Sequence, residues 1–261
     1  MSRPPHLTQE RADRFRDQSV VDAYPLRWPY PPETFEVLAG LMVDPGGAVL
    51  DIGTGTGDLA RPLAARAGRV DAVDVSAPML ARARALPGGE HPGLRWIESR
   101  AEDFTSHDRY ALVTAGESLH WMDWPTVLPL FRRLLLPGGF LAIVERAEAP
   151  VPWGDGLVRL IATYSTVRDY KPFDLVAELE RRGLFSVRGR HQTMRVPFRQ
   201  SVADYIESFH SRSSLSRAAM TPDAADAFDR ELRALVEPLA KDGEVVLGTT
   251  GNLVWGEPLA G

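Results

Sequence analysis

An α/β fold with a mostly parallel sheet is the class this sequence predicts, and three observations carry that expectation. From Ala48 onward, short apolar runs alternate with longer helix-patterned stretches, the signature of βαβ units. Three glycines at alternate positions, Gly53, Gly55 and Gly57, close the first run, where a strand must turn sharply into a helix. Late in the chain, "FSVRGRHQTMRVPF" and "GEVVLGTTGNLVWGEP" are two extended runs not joined by a crossover of the earlier kind, so an antiparallel pair is expected to close the sheet.

Taken in order, the first forty residues read as helical around Leu7 to Arg16. They are then irregular through "YPLRWPYPPETF", whose four prolines forbid a continuous helix. Strands are expected at "AVLDIG", "RVDAVDV", "LRWIESR", "YALVTAGE" and "GFLAIVERA". Helices are expected at "DLARPLAARA", "APMLARARAL" and "WPTVLPLFRRLL", the last ahead of a turn at "LPGG". Pro62 and Pro78 fall near helix starts, where a missing N–H is tolerated. Beyond Pro150 the pattern loosens, with helices expected from Leu157 to Arg168 and over "DLVAELERRG", "SVADYIESFHS" and "PDAADAFDRELRALVEPLA".

At 261 residues the chain is long enough to bury a substantial core, and it reads as one domain with embellishments. A net charge of −5 gives no general attraction to nucleic acid or to an anionic membrane, so a small-molecule partner is expected. No apolar run approaches the roughly 18 residues of a membrane span, and the first residues lack the apolar segment of a secretory signal; a cytoplasmic protein, monomeric or homodimeric, is expected. The absence of cysteine removes disulfides, thiolate metal sites and a cysteine nucleophile. The six histidines form no close ligand pair, so no metal site is expected.

The glycine turn favours close approach of a ligand to backbone N–H groups. A dinucleotide site would prefer G-x-G-x-x-G, whereas this chain has G-x-G-x-G with Asp51 in the strand just upstream. A carboxylate there would repel a phosphate and suits a cationic group. Asp74 ends the next strand, where an acidic side chain accepts hydrogen bonds from ribose hydroxyls. Together they describe a nucleoside with a positively charged tail, which S-adenosylmethionine fits.

Five stretches in order, "VLDIGTGTG", "VDAVDVSAPML", "ESRAEDF", "YALVTAGESLHWMDW" and "LLLPGGFLAIVE", resemble the motifs of class I S-adenosylmethionine-dependent methyltransferases, in particular the ubiquinone-biosynthesis and trans-aconitate methyltransferase-like group. The resemblance runs from Val49 to Glu145 and implies a Rossmann-like, seven-stranded sheet, mostly parallel, with an antiparallel C-terminal strand pair and helical lid elements. It implies one domain over 1–261: a strap or lid at 1–40, a cofactor-binding core at 41–147, and substrate-shaping helices with closing strands at 148–261. It places the methionine part of the cofactor over Gly53, Thr54, Gly55 and Gly57, with Asp51 organising either the loop or the amino group. Asp74 would hold the ribose, while Val75 with Ser76 and Ala101 with Glu102 would flank the adenine. Many relatives carry an aspartate where this chain has Arg100. Glu117, Ser118 and Leu119 fall where the family lines the methyl-donor region.

On the acceptor side, His120, Trp121 and Trp124 lie just past the fourth strand, on the edge where open α/β sheets bind ligands. His120 is the candidate general base, with a substrate-orienting role as its alternative, and Trp124 suits packing. In the strap, Arg27 is placed to meet the cofactor carboxylate, and Tyr24 and Tyr30 to cover the site. Tyr164, Arg168, Tyr170, His210 and Arg212 are further candidates for polar contact with a substrate. The reaction expected is methyl transfer by direct displacement. Its alternative is a protein that binds the same cofactor and catalyses a non-methylating rearrangement or cyclisation; a nicotinamide oxidoreductase is disfavoured by the glycine spacing and Asp51.

Overall fold

A computed structural model describes residues 7–168, 171 and 173–259. The chain opens with helices α1 (Gln9–Asp13), α2 (Gln18–Ala23) and α3 (Pro32–Gly40). It then alternates β1 (Ala48–Ile52), α4 (Ala60–Leu63), β2 (Arg69–Asp74), α5 (Ala77–Ala85), β3 (Leu94–Glu98), β4 (Tyr110–Gly116), α6 (Trp124–Leu134) and β5 (Leu135–Glu148). The remainder is α7 (Gly154–Tyr164), α8 (Leu175–Arg181), β6 (Phe185–Gln192), β7 (Val196–Ser201), α9 (Val202–Ser208), α10 (Pro222–Val236) and β8 (Glu244–Pro258).

The sheet order is β3-β2-β1-β4-β5-β8-β6, with β7 also on β8. The first five strands pair in parallel, and β8 runs antiparallel to β5, β6 and β7. Strand order therefore reverses between β1 and β4, and the crevice outside their C-terminal ends is where such sheets take ligands.

Burial on both faces explains why the central strands are apolar throughout. Leu50, Ile52, Val113 and Ile143 face α6 and α8, whereas Val49, Leu112, Ala142 and Val144 face α3 and α4. A third cluster gathers α7, α9 and α10 against Val245 and Leu247 of β8, so the late helices have a core of their own beside the sheet. The first residues are held more lightly: Val20 and Val21 of α2 meet Met79 of α5 in a small cluster with Phe15 and Tyr24.

The sheet has seven lanes but eight strands. "FSVRGRHQTMRVPF" breaks at Thr193, whose N–H reaches Gly251 O while its hydroxyl accepts the Gly251 N–H, 2.9 and 2.8 Å. The long β8 thereby pairs with β6 along one half and β7 along the other. Three further expectations need correcting. "LPGG" is taken into β5 as an irregularity, since Tyr110 faces Leu135 while Leu112 already faces Phe140. The helix after the glycines shortens to four residues, because Asp58 is drawn into the turn by Thr56 and Arg61. The stretch before Ala48 is more helical than its prolines suggest: α2 is added, and α3 begins at Pro32, where no N–H is needed.

Candidate functional site

Two adjoining clefts open at the switch point. The first, about 340 Å³, lies over the ends of β1, β2 and β4. Its floor is the glycine turn. Gly53 and Gly55 have φ of +67° and +55°, conformations L side chains rarely adopt. A Cβ on Gly53 would stand 2.5 Å from Ser118 Cβ, and one on Gly55 would stand 3.4 Å from the Tyr24 ring. Asp74 pins this turn from the neighbouring strand, accepting the N–H of Gly55 at 2.7 Å and of Ser76 at 2.8 Å while lining the cleft. Burial raises its pKa against the pull of those N–H groups.

Asp51 lies beneath the turn, 1% exposed, accepting Thr54 Oγ1 at 2.5 Å and Thr114 Oγ1 at 2.7 Å. Burial pushes its carboxyl up to about 6 despite these donors. Asp51 does not line the first cleft; with Gly53, Thr54 and Arg146 it lines a separate small cavity of about 20 Å³. Thr54 turns its hydroxyl inward, and a Cβ on Gly57 would meet the Trp96 ring at 2.5 Å, so Gly57 serves helix and strand packing.

Val75, Ala101, Glu102 and Glu117 line the first cleft. Glu102 is partly committed, accepting the Asp123 N–H at 2.9 Å with Arg100 at 3.5 Å. The roof comes from the N-terminal segment: Phe15 and Arg16 are tied down by Ser76 Oγ to Phe15 O at 3.0 Å and Arg16 to Val75 O at 3.4 Å.

The second cleft, about 490 Å³, shares Phe15, Tyr24, Glu117 and Trp121 with the first and adds Arg27, Trp28, His120, Glu145, Arg146 and Arg212. Glu117 stands at the junction with φ +51°, an uncommon backbone for glutamate. Its Oε2 lies 3.3 Å from Arg146 Nε and 3.5 Å from Arg27 Nη1. Arg146, its side chain 3% exposed, also donates to Asp58 at 2.9 Å and Trp28 O at 2.8 Å, and covers the Tyr30 ring. Burial works against its charge, but Tyr30, Glu117 and Asp58 outweigh it and keep the guanidinium protonated. Asp58 is likewise held below the usual carboxylate range: burial raises it, and Arg146 and Arg61 prevail. Arg27 fastens the strap to the 3₁₀ turn after α9, donating to Ser211 Oγ and O at 2.8 and 2.9 Å with its guanidinium over the Tyr24 ring.

His120 and Trp121 thus sit at the second cleft, ring centroids 5.1 Å apart, and Trp121 reaches both clefts. Trp124 is wholly buried, stacked on Phe173, and packs as expected. Tyr24 lines both clefts, but Tyr30 lies under Arg146 and lines neither. Three acceptor-side candidates lie away from both clefts. Tyr164 bonds Glu231 at 2.6 Å on α10, Arg168 bonds the last carbonyls of α7 (Ala162 and Thr163), and neither lines a cleft. His210 points away, fully buried between Leu215 O and Asp229, both at 2.7 Å, while its neighbour Arg212 faces the cleft. Tyr170 lies outside the described residues. Glu207, His210 and Asp229 bring three ligand atoms within 4.8 Å, but Arg217 already bridges the two carboxylates and supplies the cation. Arg146 and Glu145 went unmarked in the sequence, although they end the apolar run "FLAIV" just as Asp51 and Asp74 sit at the ends of theirs.

Comparison with known proteins agrees with this arrangement. The model of a family described as a methyltransferase domain matches residues 49–139, the span that builds the first cleft's floor. A demethylmenaquinone methyltransferase of Chlorobaculum tepidum is 37% identical over 100 residues, 37% of this chain and 40% of that protein. A ubiquinone/menaquinone biosynthesis C-methyltransferase of Paracoccus denitrificans is 35% identical over 115 residues, 41% of this chain and 45% of that one. The chain thus spans less than half the length of these curated relatives. Among solved structures, one described as a candidate type II methyltransferase from Anaeromyxobacter dehalogenans superposes with a TM-score of 0.66 at 24% identity, over 88% of this chain and 97% of that one, a likeness of fold. No helix among the described residues is long and apolar enough to cross a membrane.

Proposed function

We propose that the chain, whose residues 49–139 match a methyltransferase-domain family, is a class I S-adenosylmethionine-dependent enzyme that transfers a methyl group to a small molecule, with the donor in the first cleft and the acceptor in the second. One observation carries this reading: a left-handed glycine turn and a strand-end carboxylate, Asp74, floor a cleft that opens through Glu117 and Trp121 into a second cleft. The donor fits the residues present, since Gly53 and Gly55 leave backbone open where a Cβ would crowd, and Asp74 faces the cavity with lone pairs to spare.

Bound S-adenosylmethionine supplies a sulfonium methyl: the acceptor's lone pair forms the new bond to carbon as the carbon–sulfur bond breaks and its electron pair returns to sulfur. The protein's part is alignment and exclusion of water. Gly53 and Gly55 hold the amino-acid end, Asp74 the ribose hydroxyls, and Val75, Ala101 and Glu102 the adenine edge. Glu117, fixed by Arg27 and Arg146, sets the boundary between donor and acceptor. His120 takes a proton where the acceptor is a neutral hydroxyl or amine; an acceptor already ionised needs none. Residues 1–40 act as the strap, 41–147 as the donor core and 148–261 as the acceptor wall. Calorimetric titration with S-adenosylhomocysteine and with NAD tests the donor assignment: binding of the former is expected, and binding of NAD alone would overturn it. Incubation with methyl-labelled donor and a metabolite extract then reads transfer directly.

A further inference from the structure

We infer that the second cleft receives an acceptor bearing one carboxylate, and that Arg212 is the group that recognises it. The inference rests on the methyl-transfer reading for the word acceptor, while the anion site itself rests on the side chains.

Three arginines line this cleft, and two are committed: Arg27 to Ser211 and Glu117, and Arg146 to Asp58, Glu117 and Trp28 O. Arg212 differs. Its guanidinium lies over two aromatic rings, 4.7 Å from the Phe209 centroid and 5.5 Å from that of Trp28, yet it makes no hydrogen bond or ion pair among the described residues. The rings fix the plane of the fork and leave its N–H groups for a ligand, the arrangement suited to a planar carboxylate. Trp28 also lines this cleft, and its Nε1 is buried with no acceptor among the described residues. Burial and the neighbouring Arg27 both disfavour the Arg212 charge, and a bound anion relieves both.

The pairing of charges sets how much anion the cleft takes. Arg27 and Arg146 share Glu117, and Arg146 also holds Asp58, so among the arginines of this lining only Arg212 has no carboxylate paired with it among the described residues. One unpaired guanidinium fork matches one carboxylate. Glu148 favours the Arg212 charge from nearby but forms no ion pair with it among the described residues. Phe15, Trp28 and Trp121 supply flat apolar walls, so the carboxylate is expected on an apolar, planar body.

The test is calorimetric titration of the full chain, saturated with S-adenosylhomocysteine in chloride-poor buffer, with benzoate, benzamide and phenyl phosphate. Benzoate is expected to bind at least about tenfold more tightly than benzamide, and Arg212→Gln to remove that difference while leaving S-adenosylhomocysteine affinity and the melting temperature in place. Trp28→Phe should weaken benzoate a few-fold. Should Arg212→Gln fail to fold, Arg212→Lys, which keeps the charge and loses the planar fork, is expected to bind benzoate at an intermediate level. Equal binding of benzoate and benzamide overturns the site. Undiminished benzoate binding by Arg212→Gln or Arg212→Lys does the same, and would make Arg212 a structural partner of Glu148. Tighter binding of phenyl phosphate than benzoate overturns the single charge. Arg212-dependent benzoate binding by a protein that ignores S-adenosylhomocysteine would sink the donor reading and leave the anion site standing.

Discussion

The two clefts are built by different means. The floor of the first is assembled from near neighbours on adjacent strand ends: Asp74 bonds Gly55 only 19 positions away, and Asp51 beneath reaches Thr54 only three positions on. The second is closed by side chains from distant segments, Arg27 on Ser211 across 184 positions and Arg146 on Trp28 across 118. A cleft floor made of one βαβ unit is set by local geometry. An acceptor site made of a strap, a strand end and a late helix depends on how those parts dock, and buried charge does the docking.

The largest expected effect strikes at that joint. Arg146→Ala leaves Asp58 and Glu117 without their shared cation in a place 3% exposed, and loss of one member of a buried network costs about 3 to 5 kcal/mol. Urea unfolding checks it. A loss below 1 kcal/mol would mean the two clefts do not depend on this arginine.

Asp51 allows the donor side to be probed through pH. Its pKa is 3.8 as an ordinary side chain and about 6 in the fold, so folding favours the protonated form. Its contribution is fully present below about pH 4 and lost as pH rises through about 6, roughly 3 kcal/mol in all. Asp58, Asp229 and Glu178, all lowered, act in the opposite direction, so the difference between wild type and Asp51→Asn isolates the effect. The variant should gain on wild type between pH 4 and 7; a constant difference would show that Asp51 is charged beneath the turn.

Next in size is Asp74→Ala, expected to weaken S-adenosylhomocysteine by about 1.5 to 3 kcal/mol through loss of charged hydrogen bonds. Calorimetry reads it, and unchanged affinity would remove Asp74 from the site. Much of this cleft was legible in the sequence because a strand, a turn and the carboxylate at the next strand's end lie within one short segment. Strands β1 to β4 fall within two residues of their apolar runs for the same reason. Legibility failed where a partner was distant. Gly57 was read as ligand-facing because nothing local reveals Trp96 against it. His210 was read as a substrate contact because its true partner, Asp229, sits on another helix. Arg146 passed unnoticed because an arginine after a strand is ordinarily exposed, and only Asp58, Glu117 and Tyr30 make it a buried hub.

The smallest effect is expected at Arg168, and it sharpens the contrast with Arg212. Both follow helical segments in the second half of the chain and both suit an anionic substrate by composition alone. Arg168 is exposed, and its guanidinium is used up on Ala162 O and Thr163 O, where a cation suits the carbonyl end of α7. The Arg212 guanidinium lies over two rings and uses none of its own donors on the described residues. Arg168→Ala should therefore leave benzoate and S-adenosylhomocysteine affinities unchanged and shift stability no more than an ordinary surface substitution. A tenfold loss of benzoate affinity in that variant would place the end of α7 on the acceptor's path and break the assignment of the second cleft's wall.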